Sequence, residues 1–249
     1  MLKVFLASVV LSASLWAGDI RVAVAANLAD VIEVLKVEFA KSNPSIKVDT
    51  VLGASGKFTA QIKSGAPFDV FISADMQFPE ALYKENIAVT KPVVYASGAL
   101  AMMSVRGLDL GKGLGVVADK KVEKIALANP KTAPYGAATV EALKQKGLYE
   151  MAESKLVYGE SISHTVSFAI TAADIGFVNA SAFYGEKMKQ YVEGKDWVKV
   201  DPSLYAPINQ GIVLLKQAQN NAEAKAFYDF VLSGKAKQIF KNYGYLVNE

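Results

Sequence analysis

The chain has 249 residues, with 27 Lys and Arg against 24 Asp and Glu and a formal charge of +3. Its bases form neither a run nor an aromatic-interleaved stripe, which excludes a nucleic-acid footprint, and the absence of cysteine excludes disulfides, thiolate metal sites and a lipid-acceptor thiol. Hydrophobic content of 52% and charged content of 20% describe an ordinary globular protein with room for one large or two modest domains.

At the N-terminus, Lys3 precedes an apolar stretch from Val4 to Leu15 and a small-residue exit at Ala17-Gly18. That is the layout of a cleavable secretory signal, residues 1–17, too short to span a bilayer comfortably. Its removal takes away one base and no acid, so the formal charge falls from +3 to +2.

Ile20 to Ala25 reads as a strand, and Leu28, Val31, Ile32, Leu35 and Phe39 then recur at helical spacing until Asn43-Pro44. Ile46, Val48 and Val51 form the next strand. After Ser55-Gly56 a short helix carries Phe58 and Ile62 on one face and ends at Ser64-Gly65, and Asp69 to Ser73 returns as a buried strand. This βαβαβ order implies a parallel sheet covered by helices, with ligands placed beyond the strands' carboxyl ends.

Lys91 to Val105 is a long β-prone stretch broken by Ser97-Gly98, suited to leaving one domain for another. Val122 to Ala128, Lys155 to Tyr158 and Ile175 to Val178 repeat the β/α theme, with a helix from Thr139 to Lys146. Ala206 to Leu215 carries the chain back, and helices at Ala222 to Leu232 and Lys235 to Tyr243 finish the first domain. The expected division is 18–97 with 208–249 as lobe 1 and 98–207 as lobe 2.

Four segments share one layout, an extended run followed by a small or hydroxyl residue and a helix start: Ile20–Ala26 into Asn27, Val48–Ala54 into Ser55, Ile125–Pro134 into Tyr135, and Lys155–Glu160 into Ser161-Ile162. Helix starts offer unpaired N–H groups and the positive end of the macrodipole, so several converging on one cleft bind an anion without cationic side chains. Taken singly, Asn27 and Ser55 also read as ordinary N-cap residues, Tyr135 as an aromatic wall and Asn179 as a turn residue.

Val24-Ala25-Ala26-Asn27-Leu28, Gly53-Ala54-Ser55-Gly56, Ala66 to Asp75, Asn129-Pro130 with Ala133-Pro134-Tyr135-Gly136, and Ile175-Gly176-Phe177-Val178 occur in this order. With Ala226 to Phe230 and Ile239 to Tyr245, the mature chain resembles the periplasmic molybdate-binding proteins of ABC transporters, the ModA family. The resemblance implies a type II periplasmic-binding-protein fold of two α/β lobes joined by two crossovers. Each lobe is a mixed, mainly parallel sheet flanked by helices.

It further implies that Asn27, Ser55 and the backbone N–H groups of Tyr135 and Ile162 contact the oxyanion. Some members add a tyrosine hydroxyl where this chain has Asn179, which leaves two arrangements open: the amide donates, or four segments suffice. The implied ligand is molybdate or tungstate, held through these residues without direct metal-ion ligands and without any cofactor. The implied partner is an inner-membrane ABC permease, served by a monomeric periplasmic receptor that has no lipid anchor.

A receptor for another tetrahedral oxyanion such as sulfate is the alternative reading. A Ser55-dependent hydrolase is a further one, but Lys57 stands where the second glycine of a GxSxG elbow belongs. His164, the only histidine, reads as a surface residue. Gly111 to Gly115 lacks both dinucleotide and Walker spacing and reads as a loop.

Overall fold

The computed structural model describes residues 19–247, so the signal-peptide reading lies outside the described residues. Two five-stranded sheets carry the fold. The first contains β1 (Ile20–Ala25), β2 (Val48–Gly53), β3 (Val70–Ile72) and β4 (Val93–Gly98), joined by a strand that comes late in the chain, Ile208–Leu214. The second contains β5 (Leu100–Met103), β6 (Ile125–Ala128), β7 (Leu156–Gly159), β8 (Ile175–Asn179) and β9 (Trp197–Lys199). With Ile208–Leu214 as β10, the strand orders are β2-β1-β3-β10-β4 and β7-β6-β8-β5-β9.

The two sheets follow one plan. β2, β1 and β3 run parallel, as do β7, β6 and β8, while β10 and β5 lie antiparallel to their neighbours. Parallel strands need covered faces, and helices supply the cover. They are α1 (Ala29–Ala40), α2 (Ser55–Lys63), α3 (Gln77–Lys84), α4 (Pro134–Gln145), α5 (Tyr149–Glu153), α6 (Ile162–Thr171), α7 (Ala222–Val231) and α8 (Gly234–Asn242).

Strand alternation divides the core. Val22, Val24 and Ile72 pack with Leu28, Ile32, Leu35 and Phe39 of the first helical segment and with Phe227 and Phe240 from the chain's end. Ala23, Phe71 and Val213 point the other way, onto Phe58, Ile62 and Leu82. Successive side chains of a strand face opposite sides, so one short strand serves two apolar layers.

The fold class implied by the sequence is the one observed: a two-lobed, mixed, mainly parallel α/β architecture. Helix α3, strand β9 and the 3-10 segment Leu110–Ala118 were not anticipated. β9 has only three residues, too few for a periodicity signal.

The chain passes between sheets twice, at Gly98–Leu100 and between Lys199 and Ile208. The Leu100 N–H donates to the Tyr205 hydroxyl at 3.0 Å, tying one passage to the other. The last described residues return to the same place: Ser97 and Leu246 exchange backbone hydrogen bonds of 2.7 and 2.9 Å.

Candidate functional site

The carboxyl ends of the parallel strands face each other across the seam between the lobes. Between them lies a small cavity of about 10 Å³ lined by Ala25, Ala26, Asn27, Gly53, Ala54, Ser55, Ala74, Ala133, Pro134, Tyr135 and Ile162. Sites for drug-sized organic ligands run to roughly 300–1,000 Å³, so this one suits a much smaller guest. No charged side chain is in this lining.

The four helix starts singled out in the sequence all reach this cavity. Ser55 and Ile162 are the first residues of α2 and α6, Tyr135 is the second of α4, and Asn27 is in the 3-10 turn Ala26–Leu28 that runs into α1. Their N–H groups sit where a helix offers no internal partner, and none of the turn, loop or cap hydrogen bonds among the described residues engages them.

The capping pattern explains why. Three of the starts have alanine at the N-cap, Ala25, Ala54 and Ala133, with no side-chain cap bond; only Ser161 caps its helix, accepting from the His164 N–H. The reading of Asn27 and Ser55 as ordinary N-caps is therefore overturned, because each lies inside its helical segment rather than before it. Alanine is a poor N-cap, costing about 1 kcal/mol against Ser, Thr, Asn or Asp. Its use three times at one cavity leaves donors free.

Ser55 is 1% exposed, and its Oγ accepts from the Ala74 N–H at 3.0 Å, so its own proton remains available to a guest. Asn27, Tyr135 and Ile162 are buried as well. The lobes are closed over the cavity: Gly56 N–H donates to the Thr132 carbonyl at 2.9 Å, Ser163 Oγ to the Ala26 carbonyl at 2.9 Å, and Lys57 pairs with Glu160 at 2.6 Å. The hydrogen bond from Lys57 holds the Glu160 carboxyl below the ordinary carboxylate range.

Behind Asn27 is a buried polar network that the sequence reading missed. Asn27 Nδ2 donates to Gln210 Oε1 at 2.9 Å and to the Tyr245 hydroxyl at 3.1 Å, and Gln210 Nε2 donates to the Tyr135 hydroxyl at 3.2 Å. The Tyr95 hydroxyl lies 2.7 Å from Gln210 Oε1 and 3.1 Å from the Ser73 carbonyl. Tyr245 donates to the Asn27 carbonyl at 2.9 Å and accepts from Ser181 at 2.9 Å. Burial pushes the phenols of Tyr95, Tyr135 and Tyr245 well upward, so they stay protonated. A signal for this network was present in Gln210, a polar residue on the buried side of β10 just before its apolar run Ile212–Leu214.

Asn179 does not line the cavity. Its Nδ2 donates to the Asn27 carbonyl at 3.2 Å and to Ser181 Oγ at 2.7 Å, which joins the lobes at the back of the site. Of the residues expected at the site, Asn27, Ser55, Tyr135 and Ile162 line the cavity and Asn179 does not. His164 is exposed and its ring stacks on Phe168 at 5.4 Å, while Ser55 faces the cavity with Ala74 as its partner.

Comparison with known proteins gives the family. Residues 20–246 match the bacterial extracellular solute-binding protein family. The molybdate-binding protein ModA of Rhodobacter capsulatus is 39% identical over 92% of this chain and 89% of its own. ModA of Azotobacter vinelandii is 38% identical over 98% and 96%. The solved periplasmic molybdate-binding protein of Azotobacter vinelandii superposes with a TM-score of 0.83 at 30% identity, covering 92% of this chain and all of the other.

Proposed function

The chain belongs to the bacterial extracellular solute-binding protein family and within it to the ModA proteins, and on that premise we propose that the seam cavity holds one molybdate or tungstate dianion. The protein is a periplasmic binding component of an ABC transporter and not an enzyme; its oxyanion is cargo, and no cofactor enters its function. The observation that carries the ligand reading is the convergence of four helix starts, three of them capped only by alanine, on a small cavity without charged side chains.

Each helix start carries about half a positive charge, so four present about two, matching a dianion before solvent and salt weaken the effect. Ser55 Oγ–H and the N–H groups of Ser55, Tyr135 and Ile162 are donors, as is the Asn27 segment. A lining made almost wholly of donors satisfies a fully ionised tetrahedral oxyanion. It leaves the hydroxyl of a protonated one without an acceptor.

Donors from Asn27 and Ser55 belong to one lobe and those from Tyr135 and Ile162 to the other, so one anion engages all of them only when the lobes close. The bound anion therefore stabilises the closed form, which an inner-membrane permease would recognise. We place the hinge at the two passages between sheets; strand membership supports the division expected from the sequence, 18–97 plus 208–249 and 98–207, except that Gly98 pairs with Ile208 in the first sheet and belongs to the first lobe. Export by cleavage after Ala17 and action as a free monomer complete the reading; the absence of cysteine supports the lack of a lipid anchor.

The test is a thermal-shift series with molybdate, tungstate, sulfate, phosphate and chloride at equal ionic strength. A ligand held a thousandfold above its dissociation constant adds about 4 kcal/mol of apparent stability. A shift with sulfate and none with molybdate or tungstate would transfer the assignment to sulfate.

A further inference from the structure

The hydrogen-bond network behind the cavity leaves two groups unpaired among the described residues. Asn27 Oδ1 is buried without a partner, and the Tyr135 hydroxyl receives a hydrogen bond from Gln210 Nε2 but has no acceptor for its own proton. Unpaired buried polar groups are costly, and both deficits lie on one chain of contacts: Asn27, Gln210, Tyr135.

Half-turns of the two carboxamides, with no movement of the backbone, repair both. Gln210 Nε2 then meets the Asn27 amide oxygen, and Gln210 Oε1 accepts the Tyr135 proton. Tyr95 keeps the Ser73 carbonyl at 3.1 Å as its acceptor. Tyr245 gives its proton to the Asn27 amide oxygen, while Asn179 continues to serve the Asn27 carbonyl at 3.2 Å. The one donor released is Asn27 Nδ2. It leaves Gln210 and Tyr245, neither of which lines the cavity, for the opposite edge of an amide that does.

We propose that Gln210, oriented by the Tyr135 and Tyr95 hydroxyls, is a positioning residue that turns the Asn27 amide so that Nδ2 donates to the bound oxyanion. The inference rests on the oxyanion reading of the cavity and adds a specificity device to it. With Nδ2 inward the Asn27 amide adds a donor to the lining, whereas with Oδ1 inward it would offer an acceptor to a protonated anion. Gln210 touches no ligand and acts through a residue 183 positions away in the chain.

The experiment is a double-mutant cycle on molybdate affinity by titration calorimetry, with Asn27→Ala, Gln210→Leu and the pair. Hydrogen bonds to charged groups are strong enough that each single change should weaken binding about tenfold or more. Because Gln210 acts through Asn27, the pair should bind within about twofold of Asn27→Ala alone, a non-additivity that a structural role would not produce. Tyr135→Phe keeps the backbone donor and removes only the hydroxyl, so a second cycle of Tyr135→Phe with Asn27→Ala carries the test if Gln210→Leu does not fold. In wild-type protein the Asn27 side-chain amide resonances should shift on adding molybdate, and shift less in Tyr135→Phe. Additive losses in the cycle would overturn the proposal. Failure of the wild-type protein to bind molybdate would overturn the functional reading instead.

Discussion

Gly98 ends β4 at the point where the chain leaves the first sheet, and replacing it with alanine probes closure directly. A Cβ there would fall well inside contact distance of the Tyr135 hydroxyl oxygen, 2.6 Å from Gln210 Nε2 and 3.1 Å from Tyr135 Cζ. Tyr135 is a fully buried, stiff ring anchored on α4 in the other lobe, so it relaxes only by withdrawing as the hinge opens. Overpacking of this kind costs about 1–3 kcal/mol, and here most of it falls on the closed form. At 1.4 kcal/mol per tenfold, that corresponds to a loss of about 5- to 150-fold in molybdate affinity. Calorimetric titration beside urea denaturation of ligand-free protein separates the two contributions. The reasoning fails if affinity stays within twofold of wild type, or if the whole loss reappears as reduced ligand-free stability.

Ser55→Ala removes both a hydroxyl proton available at the cavity and the acceptor for the buried Ala74 N–H. Titration should show affinity reduced about tenfold or more, and denaturation should show about 1–3 kcal/mol lost even without ligand. Asp75 concerns pH. Burial pushes its carboxyl up to about 6, against hydrogen bonds from Phe78 and Ser73 that pull it down. Between about 4 and 6 the folded protein holds more protons than the unfolded chain, so this contribution to stability is present below that window and is lost as pH rises through it. Asp75→Asn preserves the acceptor oxygen, and denaturation should find it more stable than wild type at pH 7, by up to about 3 kcal/mol, with the gain vanishing below about pH 4. A constant difference at all pH values would refute the linkage.

What could be read in advance was whatever a short stretch of chain encodes. The 3.6-residue recurrence of Leu28, Val31, Ile32, Leu35 and Phe39 marks a helix and its buried face together. Pro134 after Ala133 marks a helix start, as does Ser161 before Ile162. β9 and the five-residue α5 were less visible, because so few residues barely complete one period of either pattern.

The sequence by itself determined the α/β alternation, the family and the four helix starts that meet at the cavity, because strand, cap and helix signals are local and add along the chain. It did not say that Ala25, Ala54 and Ala133, rather than Asn27 and Ser55, occupy the cap positions, since a one- or two-residue offset in a helix start leaves the apolar pattern unchanged. Nor did it connect Asn27 with Gln210 and Tyr245, 183 and 218 residues away. Those partners meet because the chain crosses between lobes twice and its last strand and tail return to the first sheet. A hydrogen bond needs its two atoms within about 3 Å, and only the closed tertiary structure decides which distant side chains satisfy that.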